Sequence, residues 1–145
     1  ERDITGVLYF NNEYFLQCLE GDREKVNLLY NNIIKDHRHN RVVILDYQEI
    51  RNRDFQDWSM GYIPISSITK PLVLKFSSSS DFNPYQLSDS SAYMLLLELK
   101  NAYLQCEKAN ARLRGWQRIT TKLKHNNRNR RGSMGLETLR VDSPS

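Results

Sequence analysis

The sequence predicts an α+β protein in which a mixed sheet carries a helix packed on one face. A hairpin is indicated near the start, where two runs rich in β-branched and aromatic residues flank a polar turn at residues 11–13. An amphipathic helix is indicated next, because apolar side chains recur there at the spacing of one helical face. A further strand-like run follows over residues 42–50. A hairpin, a crossover helix and later strands together favour the α+β class.

The first predicted elements are the hairpin and the helix that follows it. The strands are ITGVLYF, residues 4–10, and YFLQCLE, residues 14–20. Asp22 is the expected N-cap of the helix, because its carboxylate can accept hydrogen bonds from the free amides of the first turn. The helix is expected to end in KDHRHNR, where cations suit the negative end of the helix dipole. Its apolar stripe consists of Val26, Leu29, Tyr30, Ile33 and Ile34.

Two more strands and two C-terminal helices are predicted after this helix. VVILDYQEI, residues 42–50, is the third strand, and a short fourth strand is expected around Trp58–Ile63. A short helix over KPLVLKF and a longer one capped by Ser88 or Asp89 follow. The order β-β-α-β-β-α-α fits a ferredoxin-like sandwich that lacks its first strand and helix, which are expected to lie upstream of the first residue.

Charge and apolar residues are unevenly distributed along the chain. Residues 1–100 carry 11 basic and 14 acidic side chains, a net −3, whereas residues 101–145 carry 10 and 3, a net +7. Helical periodicity fades after about residue 110 and large apolar residues become few, a pattern typical of disorder. We therefore expect an N-terminally incomplete domain over residues 1–65, a helical extension over 66–110 and a basic, disordered tail over 111–145.

Patterns that support catalysis or metal binding are missing from the sequence. There is no Gly-rich phosphate loop, nucleophile elbow or paired-carboxylate motif, so no catalytic residue and no enzyme activity are predicted. His37 and His39 lie two residues apart, whereas metal pairs on a helix prefer i,i+4 spacing, so exposed cations at a helix end are favoured over a metal site. Two isolated cysteines, Cys18 and Cys106, and the lack of an apolar run of about 18 residues predict a cytoplasmic protein without a membrane span.

Gln17 is a polar residue within an otherwise apolar strand. Alternation places Phe15, Gln17 and Leu19 on one side of this strand, and both of its sides consist mostly of apolar residues. An amide shielded from water needs partners, because each unpaired donor or acceptor costs roughly 1–3 kcal/mol. Taken alone, Gln17 is best interpreted as a core amide satisfied by its neighbours.

Four segments of the sequence, in order, resemble one known family. They are ITGVLYF, FLQCLEGD, VNLLYNNIIKDHRH and FQDWSM. They are similar to the BLUF domain, a blue-light sensor that uses flavin, and the likeness spans roughly residues 4–65. The two later helices resemble those of short stand-alone members. The resemblance implies non-covalent binding of FAD, with FMN or riboflavin as alternatives, and signalling by hydrogen-bond rearrangement around a strand Gln.

The resemblance also implies roles for individual residues. Gln17 matches the Gln that hydrogen-bonds the flavin ring, and an amide suits this role because rotation or tautomerisation exchanges its donor and acceptor. The implied cofactor-binding residues are Gln17, Ile33, Asp36, Arg38 and His39. The implied light-switch residues are Gln17, Trp58 and Met60, with the Trp and the Met near the Gln and exchanging positions on signalling. Without the resemblance, Asp36 and Arg38 would be a surface pair worth about 0–1 kcal/mol, and Trp58 and Met60 ordinary sheet packing.

The sequence departs from the family pattern at its start. The family's electron-donating Tyr and an Asn that grips the flavin ring lie upstream of the position of Ile4, near which this chain begins. Tyr9, Tyr14 and Tyr30 do not match the Tyr position, and a flavin-side position that is often cationic is Asn32 here. Because the family's first strand lies inside the sheet, its neighbours are expected to lose a ladder partner. We therefore expect a fragment of a photoreceptor that alone binds flavin poorly and lacks a normal photocycle.

The expected output is a light-dependent contact with another protein. A downstream signalling protein or transcription regulator is the expected partner, and the C-terminal helices are candidates for self-association. Two alternatives are a degenerate, flavin-free scaffold and nucleic-acid binding through the tail; the latter is less favoured, because basic disordered tails often only improve solubility. The tail residues available for nucleic acid are Trp116, Lys122, Lys124, Arg128, Arg130 and Arg131.

Overall fold

The predicted hairpin is formed by strands β1 (Ile4–Phe10) and β2 (Tyr14–Gly21), which pair antiparallel along their whole length. The side chain of Asn11 closes the turn. Its Oδ1 accepts hydrogen bonds from the backbone N–H of Glu13 at 2.8 Å and of Tyr14 at 2.7 Å. A polar residue that binds its own backbone in this way favours a turn over a continued strand. The structure, a computed structural model, describes residues 3–109 and 133–144.

Helix α1 (Arg23–Lys35) begins at the predicted N-cap. The Asp22 carboxylate accepts from the backbone N–H groups of Glu24 and Lys25, at 3.1 and 3.2 Å. Val26 from the apolar stripe is fully buried against the sheet, and Leu29, Tyr30 and Ile33 pack beside it. The stripe therefore fixes which face of the helix meets the sheet.

The remaining elements follow the predicted order, with one addition at the end. They are β3 (His39–Ile50), β4 (Gly61–Pro64), α2 (Lys70–Phe76), a 3₁₀ turn (Pro84–Gln86), α3 (Asp89–Ala109) and β5 (Ser133–Asp142). The two C-terminal helices α2 and α3 are confirmed. The fourth strand is shorter than expected: it begins at Gly61, so Trp58 lies in the preceding loop.

Strand β5 lies in a C-terminal region that the sequence predicts to be disordered. The sheet order is β3-β5-β2-β1-β4, and β5 runs parallel to both β2 and β3. The expectation of disorder over residues 111–145 is therefore wrong for residues 133–142, and residues 110–132 lie outside the described part of the chain. The expectation that the interior of the sheet loses a ladder partner is also wrong, because β2 and β3 each pair with β5.

The sheet separates two cores. On one face, α2 and α3 cover the larger core, which is built around Tyr9, Leu16, Cys18, Leu95, Leu96 and Leu99. On the opposite face, α1 covers a smaller core of Leu19, Val26, Leu139 and Val141. This arrangement is the mixed, ferredoxin-like α+β sandwich that the sequence predicts. We call the two sides the α1 face and the α3 face.

A buried ion pair attaches β5 to the rest of the fold on the α3 face. The carboxylate of Glu20 is fully buried and accepts from the backbone N–H of Asp54 at 3.0 Å and of Phe55 at 2.9 Å. It also accepts from Nε of Arg140 at 3.0 Å. Arg140 bonds Asp54 at 3.1 Å and lies over the ring of Tyr93. Because each charge here has partners, the network contributes to docking β5 instead of opposing it.

Two negative findings apply to the described residues alone. None of the helices in residues 3–109 and 133–144 is long and apolar enough to cross a bilayer. Within the same ranges, no three His, Cys, Asp or Glu side chains gather as a metal site would require.

Candidate functional site

Gln17 lies at the centre of the sheet, on the α1 face. It faces Leu8 across the β1 pairing and Glu137 across the β5 pairing. Its side chain is half-buried, and its Nε2 donates to Sδ of Met60 at 3.6 Å. A thioether sulfur is a weak acceptor. The amide oxygen has no partner within the described residues, so most of the hydrogen-bonding capacity of Gln17 is unused.

Met60 and Trp58 lie on opposite sides of the sheet. Met60 packs on the α1 face against the cluster formed by Leu8, Phe10 and Phe15. Trp58 packs into the α3-face core, with its ring 5.4 Å from that of Tyr103 in an edge-to-face contact. The family resemblance implies that both residues lie near the Gln. In the described part of the chain, Met60 hydrogen-bonds Gln17, whereas Trp58 packs in the core on the opposite face.

The loop that carries these two residues is fixed at the edge of the sheet. The backbone N–H of Gly6 donates to the carbonyl oxygen of Trp58 at 3.0 Å. A Cβ at Gly61 would lie 2.3 Å from the Trp58 ring, so only glycine allows the indole to approach the backbone this closely. A change at Met60 is thus only two residues away from a ring that contacts α3.

The segment after α1 brings Asp36 and Arg38 together. Arg38 donates through Nε to both oxygens of Asp36, at 2.9 Å each, and its backbone N–H donates to Oδ1 at 3.0 Å. The side-chain hydrogen bond from Arg38 is the main reason why the pKa of Asp36 lies well below its usual range. Nη2 of Arg38 also donates to Oδ2 of Asp36, which completes a forked ion pair that orients the guanidinium.

His39 and Ile33 connect the end of α1 to the strand that holds Gln17. Nδ1 of His39 lies 3.3 Å from the carbonyl oxygen of Ile33, and the imidazole packs 5.2 Å from the ring of Phe15. Phe15 is two residues from Gln17 on the same face of β2. These residues therefore converge on one region of the α1 face. Asp36 and Arg38 bond each other at the end of α1.

Glu137 is a site residue that the sequence analysis does not single out. It is fully buried on β5, and neither carboxylate oxygen has a hydrogen-bond partner among the described residues. Burial raises the pKa of this carboxyl well above its ordinary value. The available signal is the alternation in Glu137, Leu139 and Val141, which places an acid on an apolar strand face. The sequence analysis interprets residues 111–145 as disordered, so it does not interpret this alternation as a strand.

The donor set on the α1 face suits the polar edge of a flavin ring, in which N–H and C=O groups alternate. Gln17 offers an amide with unused donor and acceptor capacity. Arg38 and His39 offer donors at the end of α1, and Ile33 and Phe15 offer apolar surface. The unpaired carboxyl of Glu137 shows that polar groups on this face exceed the partners that the described chain supplies.

Comparison with known proteins identifies the family. Residues 1–61 match the family described as "BLUF: Sensors of blue-light using FAD". The solved structure titled "BlsA photo-activated state" is 32% identical with a TM-score of 0.52, and the match covers 66% of this chain and 68% of that one. The chain belongs to the BLUF family of blue-light sensors, whose cofactor is a flavin.

Two curated relatives are much longer proteins. The "Blue light- and temperature-regulated antirepressor BluF" of Escherichia coli (strain K12) is 43% identical over 53 residues, which are 35% of this chain and 13% of that protein. The "Photoactivated adenylate cyclase subunit beta" of Euglena longa is 30% identical over 102 residues, which are 67% of this chain and 12% of that protein. The chain therefore matches about an eighth of each relative, and it corresponds to a sensor module within them.

Proposed function

We propose that this chain is a blue-light sensor module that binds FAD non-covalently on its α1 face and uses Gln17 as the hydrogen-bonding switch. The observation that carries this proposal is the state of the Gln17 amide. It is half-buried at the centre of a sheet, and its recorded partner is a single sulfur atom. A side chain with so much unused hydrogen-bonding capacity is suited to a polar ligand.

The proposed binding residues contact different parts of the cofactor. Gln17 holds the polar edge of the ring, and Ile33 packs against the ring. Arg38 and His39 donate to carbonyl, ribityl or phosphate oxygens, while Asp36 orients Arg38 through the forked ion pair. FAD and FMN both offer phosphate oxygens to these cations and riboflavin does not, so the cations favour a phosphorylated flavin. The family description, which names FAD, favours FAD among the phosphorylated flavins. The flavin itself supplies absorption of blue light and one-electron chemistry.

The proposed switch uses the two ends of the Gln17 amide, which are similar in shape but opposite in hydrogen bonding. Turning the Gln17 side chain by half a turn exchanges its N–H₂ and C=O ends, so a donor to the ring becomes an acceptor and the reverse. The turn also breaks the bond from Nε2 to Met60 Sδ, which is weak and costs little to lose. The two orientations of the Gln17 amide therefore differ chiefly in their hydrogen bonds, which suits a switch driven by light.

The proposed output is a change in a protein contact, without catalysis by this module. Movement at Met60 passes through the 58–60 segment to Trp58, which packs on Tyr103 of α3. Helix α3 is then the element whose change alters binding to a partner protein. One relative is named an antirepressor, and on that basis we propose a transcription regulator in the cytoplasm as partner, with self-association through the helices as the other form of output. The residues considered for nucleic acid, such as Arg128 and Trp116, lie outside the described ranges.

Absorption spectroscopy tests the proposal directly. The sequence alone predicts poor flavin binding and no normal photocycle, because an interior strand is expected to be missing. Since β5 pairs with both β2 and β3 in the interior of the sheet, we instead expect the purified chain to take up FAD in the dark and to show a reversible red shift of the visible band on illumination. The yield of this shift is expected to be low, because Tyr9, Tyr14 and Tyr30 do not match the position of the family's electron-donating Tyr. Gln17→Leu is expected to retain FAD and lose the shift, whereas Gln56→Leu, at an exposed loop position, is expected to behave as the wild type. A chain that takes up no flavin would instead support the flavin-free scaffold.

A further inference from the structure

The carboxyl of Glu137 is in an unusual position for a strand residue. It is in register with Gln17 on β2 and with Ile44 on β3, so it lies in the interior of the sheet. Its side chain has no exposed surface and both oxygens are unpaired in the described part of the chain. The next residues on the same strand face, Leu139 and Val141, are apolar. An apolar side chain at position 137 would avoid the unpaired group, so stability alone does not account for a glutamate there.

Glu20 provides the contrast within the same sheet. It is equally buried, yet its carboxylate accepts two backbone N–H groups and the Arg140 guanidinium. Glu20 therefore has the complete set of partners that a structural buried acid requires. Glu137 has none of these, and the difference indicates that its partner is present only in another state of the site.

Gln17 is the polar group best placed to be that partner. Paired residues of neighbouring strands stand roughly 5 Å apart and point to the same face. In the present orientation, Nε2 of Gln17 reaches away from β5 to Met60, so the amide stands between Met60 on one side and Glu137 on the other. Rotation about the side-chain torsions of Gln17 exchanges one neighbour for the other.

The surroundings of Glu137 keep it in the form that suits an amide. Tyr30 of α1 is the titratable side chain that approaches it on the α1 face, and Ile44 of β3 is apolar. Cys18 and Glu20 of β2 point to the opposite face. Burial raises the pKa of Glu137, which favours its neutral form, with one O–H donor and acceptor sites. A neutral acid and an amide can form two complementary hydrogen bonds.

We propose that Glu137 is the second hydrogen-bond partner of Gln17, a positioning residue that stabilises the rotated amide against the orientation bonded to Met60. The proposal rests on Gln17 being the switch of the proposed function. Glu137 acts through Gln17, because Gln17 is the half-buried group of the two and Glu137 has no exposed surface with which to meet a ligand. The Gln17 amide then has two defined orientations, one bonded to Met60 and one bonded to Glu137. Without Glu137, the rotated amide would have no fixed partner in the protein.

The first test needs no cofactor. The side-chain amide resonances of Gln17 in the flavin-free protein are recorded by ¹H–¹⁵N NMR and assigned by their absence in Gln17→Leu. We expect them to move with pH as Glu137 titrates, to lose this dependence in Glu137→Gln, and to shift in Glu137→Leu. Thr138→Val is the matched control, because Thr138 is equally buried and unpaired but lies on the opposite face of β5. It is expected to leave the resonances in place.

The second test uses the FAD-bound protein after illumination. Glu137→Leu removes the partner of the rotated amide, so we expect dark recovery to be about tenfold faster, the equivalent of one net hydrogen bond. Glu137→Gln offers a neutral donor and acceptor and is expected to recover within about threefold of the wild type. Thr138→Val is expected to match the wild type. The light-minus-dark infrared spectrum is expected to contain a protonated-carboxyl band that Glu137→Gln removes.

The outcomes separate this proposal from the proposed function. Gln17 resonances that are the same in wild type, Glu137→Leu and Thr138→Val overturn the role of Glu137, whether or not flavin binds. A wild-type chain that takes up no FAD overturns the proposed function, while the NMR result still decides whether the two side chains interact. Unchanged recovery in Glu137→Leu with FAD bound overturns the role of Glu137 and leaves the proposed function standing.

Discussion

Two glutamates on adjacent strands show how surroundings decide what a buried acid does. Glu20 accepts hydrogen bonds from donors on the α3 face and joins β5 to the loop at Asp54 and Phe55. Glu137 has the same burial but no hydrogen-bond donor among residues 3–109 and 133–144, so its neutral form is favoured. Glu20 therefore contributes to holding the fold together. Glu137 lowers stability, and its raised pKa favours a proton next to Gln17.

This difference predicts a pH dependence of stability that belongs to Glu137. Below about pH 4.5 the acid is protonated in both folded and unfolded chains and has no effect. Above that pH the unfolded chain releases the proton while the folded chain keeps it, so stability falls by up to about 1.4 kcal/mol per pH unit until the raised folded pKa is reached. Glu137→Gln removes this slope.

Urea unfolding at several pH values between 5 and 8 measures the effect. The gain in stability of Glu137→Gln over the wild type is expected to grow with pH. Groups such as Asp36, whose lowered pKa acts in the opposite direction, cancel in the difference because both proteins contain them. Thr138→Val is expected to give a difference from the wild type that does not vary with pH. A constant gain in Glu137→Gln would mean that Glu137 is ionised in the folded chain.

At the scale of elements, β5 supplies the interior strand of the sheet. Its residue Leu139 is fully buried in the α1-face core, beside Leu19 and Val26. Leu139→Ala is expected to cost about 2–5 kcal/mol of unfolding free energy, through lost apolar contact and the cavity left behind. Leu28→Ala, at a position of α1 that is 63% exposed, is expected to change stability by about 0.5 kcal/mol or less. Equal stabilities for the two variants would mean that Leu139 is not packed in the core. Residues 133–142 would then be part of the disordered tail that the sequence predicts.

The elements that the sequence predicts correctly are those defined by local pattern. The β1–β2 hairpin has a three-residue turn, and α1 has both its cap at Asp22 and its apolar stripe within one short segment. The pairing of β5 is long-range, since Glu137 meets a residue 120 positions earlier in the chain. Its sequence also carries charge on both faces, at Glu137 and Arg140, which lowers the apolar signal of a strand.

The same distinction applies to the site. Gln17 is recognisable because a single amide interrupts an apolar run with a clear period of two. The separation of Trp58 from Met60 is not recognisable, because it depends on β4 beginning at Gly61 and leaving the preceding loop free to send one side chain to each face. Sequence spacing gives the neighbours of a residue along the chain, whereas the sheet decides which face each neighbour occupies.

At the scale of the whole molecule, the sheet separates the face proposed to bind flavin from the face proposed to contact a partner. The α1 face holds Gln17 and Met60, and the α3 face holds Trp58 and Tyr103. The described route around the sheet is the loop at its β4 edge, which the hydrogen bond from Gly6 fixes to β1. In the proposed function, a rearrangement at Gln17 would reach α3 through this short segment.

This route predicts the effect of removing the Trp58 ring from FAD-bound protein. Trp58→Leu leaves the α1 face intact, so we expect FAD uptake and the Gln17-dependent red shift to remain. The edge-to-face contact with Tyr103 is lost, so light is expected to stop changing amide hydrogen exchange over Asp89–Ala109. Met94→Leu, at an exposed position of the same helix, is expected to keep the light-induced change. If α3 still responds to light in Trp58→Leu, the signal does not pass through the indole, and coupling across the sheet through the strands themselves becomes the better account.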